Sequence, residues 1–208
     1  MRIPIAREGW VFILPPFLLA AAAAWADWQI LAGFLFLLTL FLVSFFRDPE
    51  RTPEGGEETI VSAADGTVLS IGPAPEAPPG ASRRITVFMS VFNCHVNRSP
   101  VSGEVAEYTY TPGKKGVAFT EKSSLENEQN RVAIASTRGR VTFKQIAGAL
   151  ARRIVFYPRP GSRLVRGQRV GMIKFGSRVD HFVPDGTEIL VAKGSKVKAG
   201  KTAVARWS

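Results

Sequence analysis

One cysteine, two histidines, three methionines and three tyrosines in 208 residues leave this chain short of the side chains that usually hold metals, move protons or attack carbonyls. A solitary Cys94 excludes an internal disulfide, and Cys94, His95 and His181 are too few for a structural zinc site, which takes four N or S ligands. No metal is expected. The adjacency of Cys94 and His95 does not make a thiol hydrolase either, because neighbours on an extended strand point to opposite faces. Cys94 is expected as a buried, inert thiol. Charge is also scarce at the start: residues 1–46 hold only Arg2, Arg7, Glu8 and Asp27, which cancel. The formal net charge of +10 therefore belongs to residues 47–208.

Two apolar runs fill that uncharged stretch. Trp10 to Trp25 is apolar throughout, and Trp28 to Phe46 is broken only by Gln29, Thr39 and Ser44. As helices they would measure about 24 and 28 Å against a hydrocarbon core of about 30 Å. The second is thus predicted to be able to span a bilayer and the first to be marginal, with Pro15-Pro16 expected to kink or break it. Arg2 and Arg7 before the pair, with Arg47 and Arg51 after it, place both ends in the cytoplasm. A membrane-anchoring hydrophobic helical hairpin, spanning or re-entrant, is expected over residues 1–46. A cleavable signal peptide is the competing reading, since the early arginines, the apolar stretch and the alanines at 20–24 satisfy its pattern. The second run would still hold the chain in a membrane. A basic soluble part suits nucleic acid or anionic lipid. With an apolar anchor and no nucleic-acid-binding module or aromatic interleaving, anionic membrane is the expected partner and nucleic acid is not. The expected location is the cell membrane, with residues 47–208 on its cytoplasmic side.

After the charged linker FFRDPERTPEGGEE the pattern turns to short segments rich in β-branched and aromatic residues: TIVSA, GTVLSIG, RRITVFMSV, GEVAEYTY, RVAIAST, GRVTFKQIAG, RRIVFYP and EILVA, bounded by Gly, Pro, Asn or Asp. APEAPPGAS reads as a proline-rich loop and LENEQN as a short turn of helix. LVRGQRVGMI (164–173) and VAKGSKVKAG (191–200) form a weak repeat that aligns Gly167 with Gly194, the grammar of hairpins in a barrel or sandwich hybrid. The predicted fold is mainly β, a barrel/sandwich-hybrid-like catalytic domain over 47–208 behind the hairpin. Lipoyl and biotinyl carrier domains share such half-repeats, but the flanks of Lys174 do not match the motif around their modified lysine.

Three Gly-Ser pairs remain: Gly161-Ser162, Gly176-Ser177 and Gly194-Ser195. A serine hydroxyl can attack the preceding carbonyl to give an ester; β-elimination and hydrolysis then leave a pyruvoyl group, a carbonyl electron sink that no ordinary side chain supplies. A β-turn accounts equally well for each pair.

The segment KFGSRVDHF (174–182) gains weight from its company. Together with FFRDPER (45–51), SAADGTV (62–68), FMSVFNCHVNRSPVSG (88–103) and LENEQNRV (125–132), it resembles the short form of the phosphatidylserine decarboxylase family. The resemblance implies self-cleavage between Gly176 and Ser177 into chains 1–176 and 177–208, which stay associated. It implies a pyruvoyl cofactor made from Ser177 that forms a Schiff base with the substrate amine, and His95 as the proton donor to Cα. The implied reaction converts phosphatidylserine to phosphatidylethanolamine, a step of phospholipid biosynthesis. Longer family members carry a self-processing histidine where this chain has Arg98. Asp65 is the family's other processing candidate, and a hairpin turn at Asp65-Gly66 is its ordinary alternative. His181 either reaches the site or is an exposed strand-end histidine. Rival readings are a pyruvoyl decarboxylase for another amino-acid headgroup or a free amino acid, which would not need the anchor, and a membrane-tethered carrier, which would remain one chain. A homo-oligomer is left open.

Overall fold

The computed structural model describes residues 3–113, 127–148, 153–174 and 177–208. The chain divides into two compact units, Met1–Glu50 and Arg51–Ser208.

In the first unit a 3₁₀ turn, Arg7–Gly9, leads into α1 (Trp10–Trp25), and α2 (Gln29–Phe45) returns alongside it. Asp27 makes the reversal in the left-handed region, φ 62°, which Asp tolerates better than most residues. The ends are tied where Ala6 N–H donates to Phe46 O (2.8 Å) and Asp48 N–H to Pro4 O (2.7 Å). Both helices are apolar on every side, and Leu18, Phe34 and Leu37 are each more than 60% exposed, a pattern that water does not stabilise. One expectation is corrected, and of the expected kink or break at Pro15-Pro16 the break is. The longer helical path is the first, because the 3₁₀ turn extends it to 19 residues, Arg7–Trp25, whereas α2 has 17. Pro15 and Pro16 withdraw two amide donors but do not end α1. That one apolar N-terminal helix is long enough to cross a membrane is a weak indication of membrane association.

Among the described residues the regular elements of the second unit are strands: β1 (Thr59–Val61), β2 (Gly66–Pro73), β3 (Ala81–Met89), β4 (Val96–Arg98), β5 (Gly103–Thr111), β6 (Gln129–Ser136), β7 (Gly139–Ala147), β8 (Ile154–Phe156), β9 (Arg163–Leu164), β10 (Arg169–Ile173), β11 (Ser177–Pro184), β12 (Glu188–Ile189), β13 (Lys196–Val197) and β14 (Ala203–Arg206). The chain is mainly β, and its largest sheet is a curled half-barrel. Among the described residues that sheet has eight strands in the order β13-β2-β3-β11-β7-β6-β5-β9, with three-stranded sheets β4-β10-β8 and β1-β14-β12. Alternation builds the core: Val179 and Val183 of β11 pack with Ile85, Val87, Met89 and Phe143.

The register matters most around β11, which lies between β3 and β7. Ser177 is opposite Met89 and Ala147, Val179 opposite Val87 and Gln145, and His181 opposite Ile85 and Phe143. Asp65-Gly66 is not a hairpin turn, because β1 pairs with β14 while β2 pairs with β13 and β3; the segment crosses between sheets. The aligned Gly167 and Gly194 do share a left-handed backbone, φ 80° and 89°. Their flanking strands, however, do not pair as hairpins: β9 joins β5, β10 joins β4 and β8, and β13 joins β2. Leu125 and Glu126 of the expected helical turn lie outside the described residues, and Gln129 and Asn130 are in β6.

Candidate functional site

The three Gly-Ser pairs have different fates. Ser162 N–H donates to Arg159 O (2.9 Å) and its Oγ accepts from Arg159 N–H (3.0 Å). Ser195 repeats this with Ala192, at 3.0 and 3.1 Å. With Gly161 and Gly194 at positive φ, both pairs are turns whose hydroxyls are already engaged. Ser177 instead opens a central strand. Gly176 and the Ser177 side chain lie outside the described residues. What precedes and follows them is clear: β10 ends at Ile173 in one sheet, and β11 begins at Ser177 in another. A cut in that crossover would leave β11 paired on both flanks, since Ser177 through Phe182 are each opposite residues of β3 and of β7.

His95 is fully buried immediately before β4. Val96 and Asn97 lie opposite Met172 and Gly171, so His95 stands beside the end of β10, where the chain departs for Ser177. Cys94 is buried and free of any disulfide.

The loop Ser62–Asp65, between β1 and β2, is held at almost every polar group. Ser62 N–H donates to Thr202 O (2.9 Å) and Ser62 Oγ to Ala64 O (2.7 Å). Ala63 O accepts from Arg98 N–H (3.0 Å) and Asn97 Nδ2 (3.2 Å). Arg51 grips the Asp65 carboxylate with two parallel bonds, Nη1 to Oδ1 and Nη2 to Oδ2 (2.9 Å), and Ala199 N–H adds a third to Oδ1 (2.8 Å). One lone pair remains on Oδ2. Gly66 is required next: a Cβ there would lie 2.0 Å from Phe88 O. Thr67 is opposite Phe88, and Phe88 is opposite Arg178, so Asp65 enters at the end of the sheet where Ser177 begins, two strands away. That is about 10 Å at ~4.8 Å per strand.

His181 is neither exposed nor at a strand end. It is wholly buried in β11, and its Nε2 accepts from Ala63 N–H (2.7 Å). Nδ1 must then carry the hydrogen and donate to Ile85 O (3.3 Å). Burial lowers its pKa to about 4, against smaller upward pulls from the Ile85 carbonyl and Asp180. The neutral ring ties the strand headed by Ser177 to the Asp65 loop. Between pH 6.5 and 4 the unfolded chain takes up a proton that the fold refuses. The stability from this site is therefore complete above pH 6.5 and drains away as pH falls towards 4, by about 3 kcal/mol. Thermal unfolding of His181→Gln in detergent should show a correspondingly flatter acid dependence than the native chain; identical pH profiles would contradict this.

Arg98 sends Nη1 to Gly167 O (3.0 Å) and offers no basic lone pair. Sequence reasoning used Arg51 only as a flanking charge and did not see it as the partner of Asp65, although it sits inside the FFRDPER block. It also passed over three buried amides, Asn97, Gln145 and Asn130. The signal was there for Gln145, which interrupts the inward series Val141, Phe143, Ala147.

Comparisons with known proteins bear on the family of the chain. The family profile described as phosphatidylserine decarboxylase matches residues 38–205. A phosphatidylserine decarboxylase proenzyme of Geotalea uraniireducens is 44% identical over 201 residues, covering 96% of this chain and 94% of that protein. One from Trichlorobacter lovleyi is 50% identical over 176 residues, 84% of this chain and 80% of its own. One from Geobacter sulfurreducens is 46% identical over 206 residues, covering 96% and 94%.

Proposed function

We propose that this chain, which belongs to the phosphatidylserine decarboxylase family, is a carboxy-lyase proenzyme that cuts itself between Gly176 and Ser177 and then converts phosphatidylserine to phosphatidylethanolamine. The observation that carries the reading is the setting of Ser177: alone of the three Gly-Ser serines it heads a central strand, at a crossover between sheets that leaves β10 where the buried His95 stands.

A pyruvoyl group made from Ser177 fits that setting, because a strand paired on both flanks keeps its new terminus in place once the peptide bond is gone. When present, the group supplies a carbonyl that reacts with the substrate amine and withdraws the electron pair left by departing CO₂. The chain's own residues do the rest. The two β ladders hold chains 1–176 and 177–208 together. Packing around His95 excludes water, and the imidazole delivers a proton to the carbon that has lost CO₂. Asp65, about two strand spacings from Ser177 and with its orientation fixed by Arg51 and Ala199 N–H, directs removal of the Ser177 proton through intervening groups during the single-turnover cut. Residues 1–46 are the anchor and 47–208 the catalytic domain. The +10 charge of the latter favours an anionic leaflet, and the flanking arginines place it on the cytoplasmic side of the cell membrane.

Deleting residues 1–46 tests the division of labour. The truncated chain should still cut itself and decarboxylate phosphatidylserine dispersed in detergent, but should lose most of its activity on phosphatidylserine vesicles. Phosphatidylethanolamine formation, followed beside a denaturing gel, decides it. A truncated chain that never matures, or one that acts on vesicles as well as the full chain, would overturn the assignment.

A further inference from the structure

The three overlooked amides form one directed chain. Asn130 Nδ2 donates to Gln145 Oε1 (2.8 Å), and Gln145 Nε2 donates to Asn97 Oδ1 (2.8 Å). Asn97 Nδ2 then has two hydrogens to place. One goes to Ala63 O (3.2 Å), and the other meets, among the described residues, only the Met89 thioether, at 3.8 Å. All three side chains are fully buried. The direction is set at Ala63 O, which can only accept, so Asn97 turns its NH₂ end towards it and its oxygen to Gln145, and Gln145 its oxygen to Asn130.

The register locates that end. Met89 is opposite Ser177 on one flank of β11, and Gln145 is opposite Val179 on the other. A side chain that touches both lies across β11 between Ser177 and Val179. Asn97 therefore holds a buried hydrogen-bond donor over the strand position where the chemistry takes place, with only a sulfur, a weak acceptor, to receive it. A buried donor so poorly matched is costly unless a better acceptor arrives.

We propose that this Asn97 N–H binds the α-carboxylate of the phosphatidylserine headgroup. The inference rests on the decarboxylase reading above. In the serine headgroup the amine and the carboxylate share one carbon, so fixing the amine at residue 177 brings the carboxylate oxygens into the neighbourhood of Asn97. A neutral amide is also the right kind of donor. The carboxylate loses its charge as CO₂ forms, so a full cation here would stabilise the ground state more than the transition state and slow the step. The cations on these strands fit that logic. Arg178 and Lys144 alternate onto the opposite face, where Arg178 Nε and Nη2 bind Asp180 at 2.6 and 3.0 Å.

Two variants test the proposal: Asn97→Ala, which removes the donor, and Gln145→Met, which leaves Asn97 in place but withdraws the bond that holds its oxygen. In each matured enzyme, KM for phosphatidylserine in mixed micelles should rise by about tenfold or more. The inhibition constant of phosphatidylethanolamine, the same lipid without the carboxylate, should move less than twofold. A merely structural role would shift both constants together, and that result, or no change in either, would overturn the proposal. If Asn97→Ala does not accumulate as two chains, Gln145→Met decides; if neither matures, the amides serve the precursor and the proposal fails. A native chain that neither cuts itself nor consumes phosphatidylserine would instead remove the parent reading.

Discussion

Ser177→Ala should accumulate as a single uncut chain with no detectable decarboxylase activity. The substitution removes the only atom that can attack the preceding carbonyl and, with it, the source of the carbonyl group that the reaction needs. The fold should survive, because β11 is held by its main-chain pairing with β3 and β7 and by the inward packing of Val179 and Val183. Loss of activity with unchanged thermal unfolding is therefore the expected pair of results. Ser162→Ala and Ser195→Ala are the controls. Each forfeits a turn hydrogen bond worth about 1 kcal/mol and should still mature and turn over. Ser177→Ala that is cut or active would contradict the account.

His95→Ala and Asp65→Ala should separate the two reactions. His95→Ala is expected to be cut normally and then to turn over about 10² to 10⁴ times more slowly, the usual cost of removing a general acid. Asp65→Ala is expected to remain as uncut precursor. The second substitution carries a structural cost that the first does not: it leaves the Arg51 guanidinium and Ala199 N–H facing an empty place, and a broken buried pair costs about 3 to 5 kcal/mol. Asp65→Asn, which keeps the shape and an acceptor for Ala199 N–H, distinguishes lost chemistry from lost packing. Uncut His95→Ala beside normally maturing Asp65→Ala would reverse the two roles. Failure of both to mature would make them one unit.

What the sequence revealed followed from periodicity. The apolar pair at the start, the mainly β domain and most of its strands were legible because each element is built by local pattern. β11 escaped, although Val179, His181 and Val183 alternate with Arg178, Asp180 and Phe182, because the segment was read only for its Gly-Ser pair; Arg178 and Asp180 are buried as a pair. The sheet assignments of β9, β10 and β13 escaped for another reason: a turn glycine specifies a reversal but not the partner of the strand that follows. His181 could not be judged from sequence at all. Its burial is created by β3 and the Asp65 loop, which are far away along the chain. The amide chain from Asn130 to Asn97 belongs to the same class, visible only once β6 and β7 lie side by side and β4, from another sheet, packs against them.

The central claim, that Ser177 becomes the terminal carbonyl of a small chain, is tested most directly by the intact mass of the purified, denatured protein together with the chemistry of its new terminus. The account predicts a large chain of residues 1–176 and a small chain of residues 177–208 whose first residue reacts with carbonyl reagents and not with amine reagents. A single uncut chain in a preparation that decarboxylates phosphatidylserine, or a small chain that begins at Ser162 or Ser195, would contradict it.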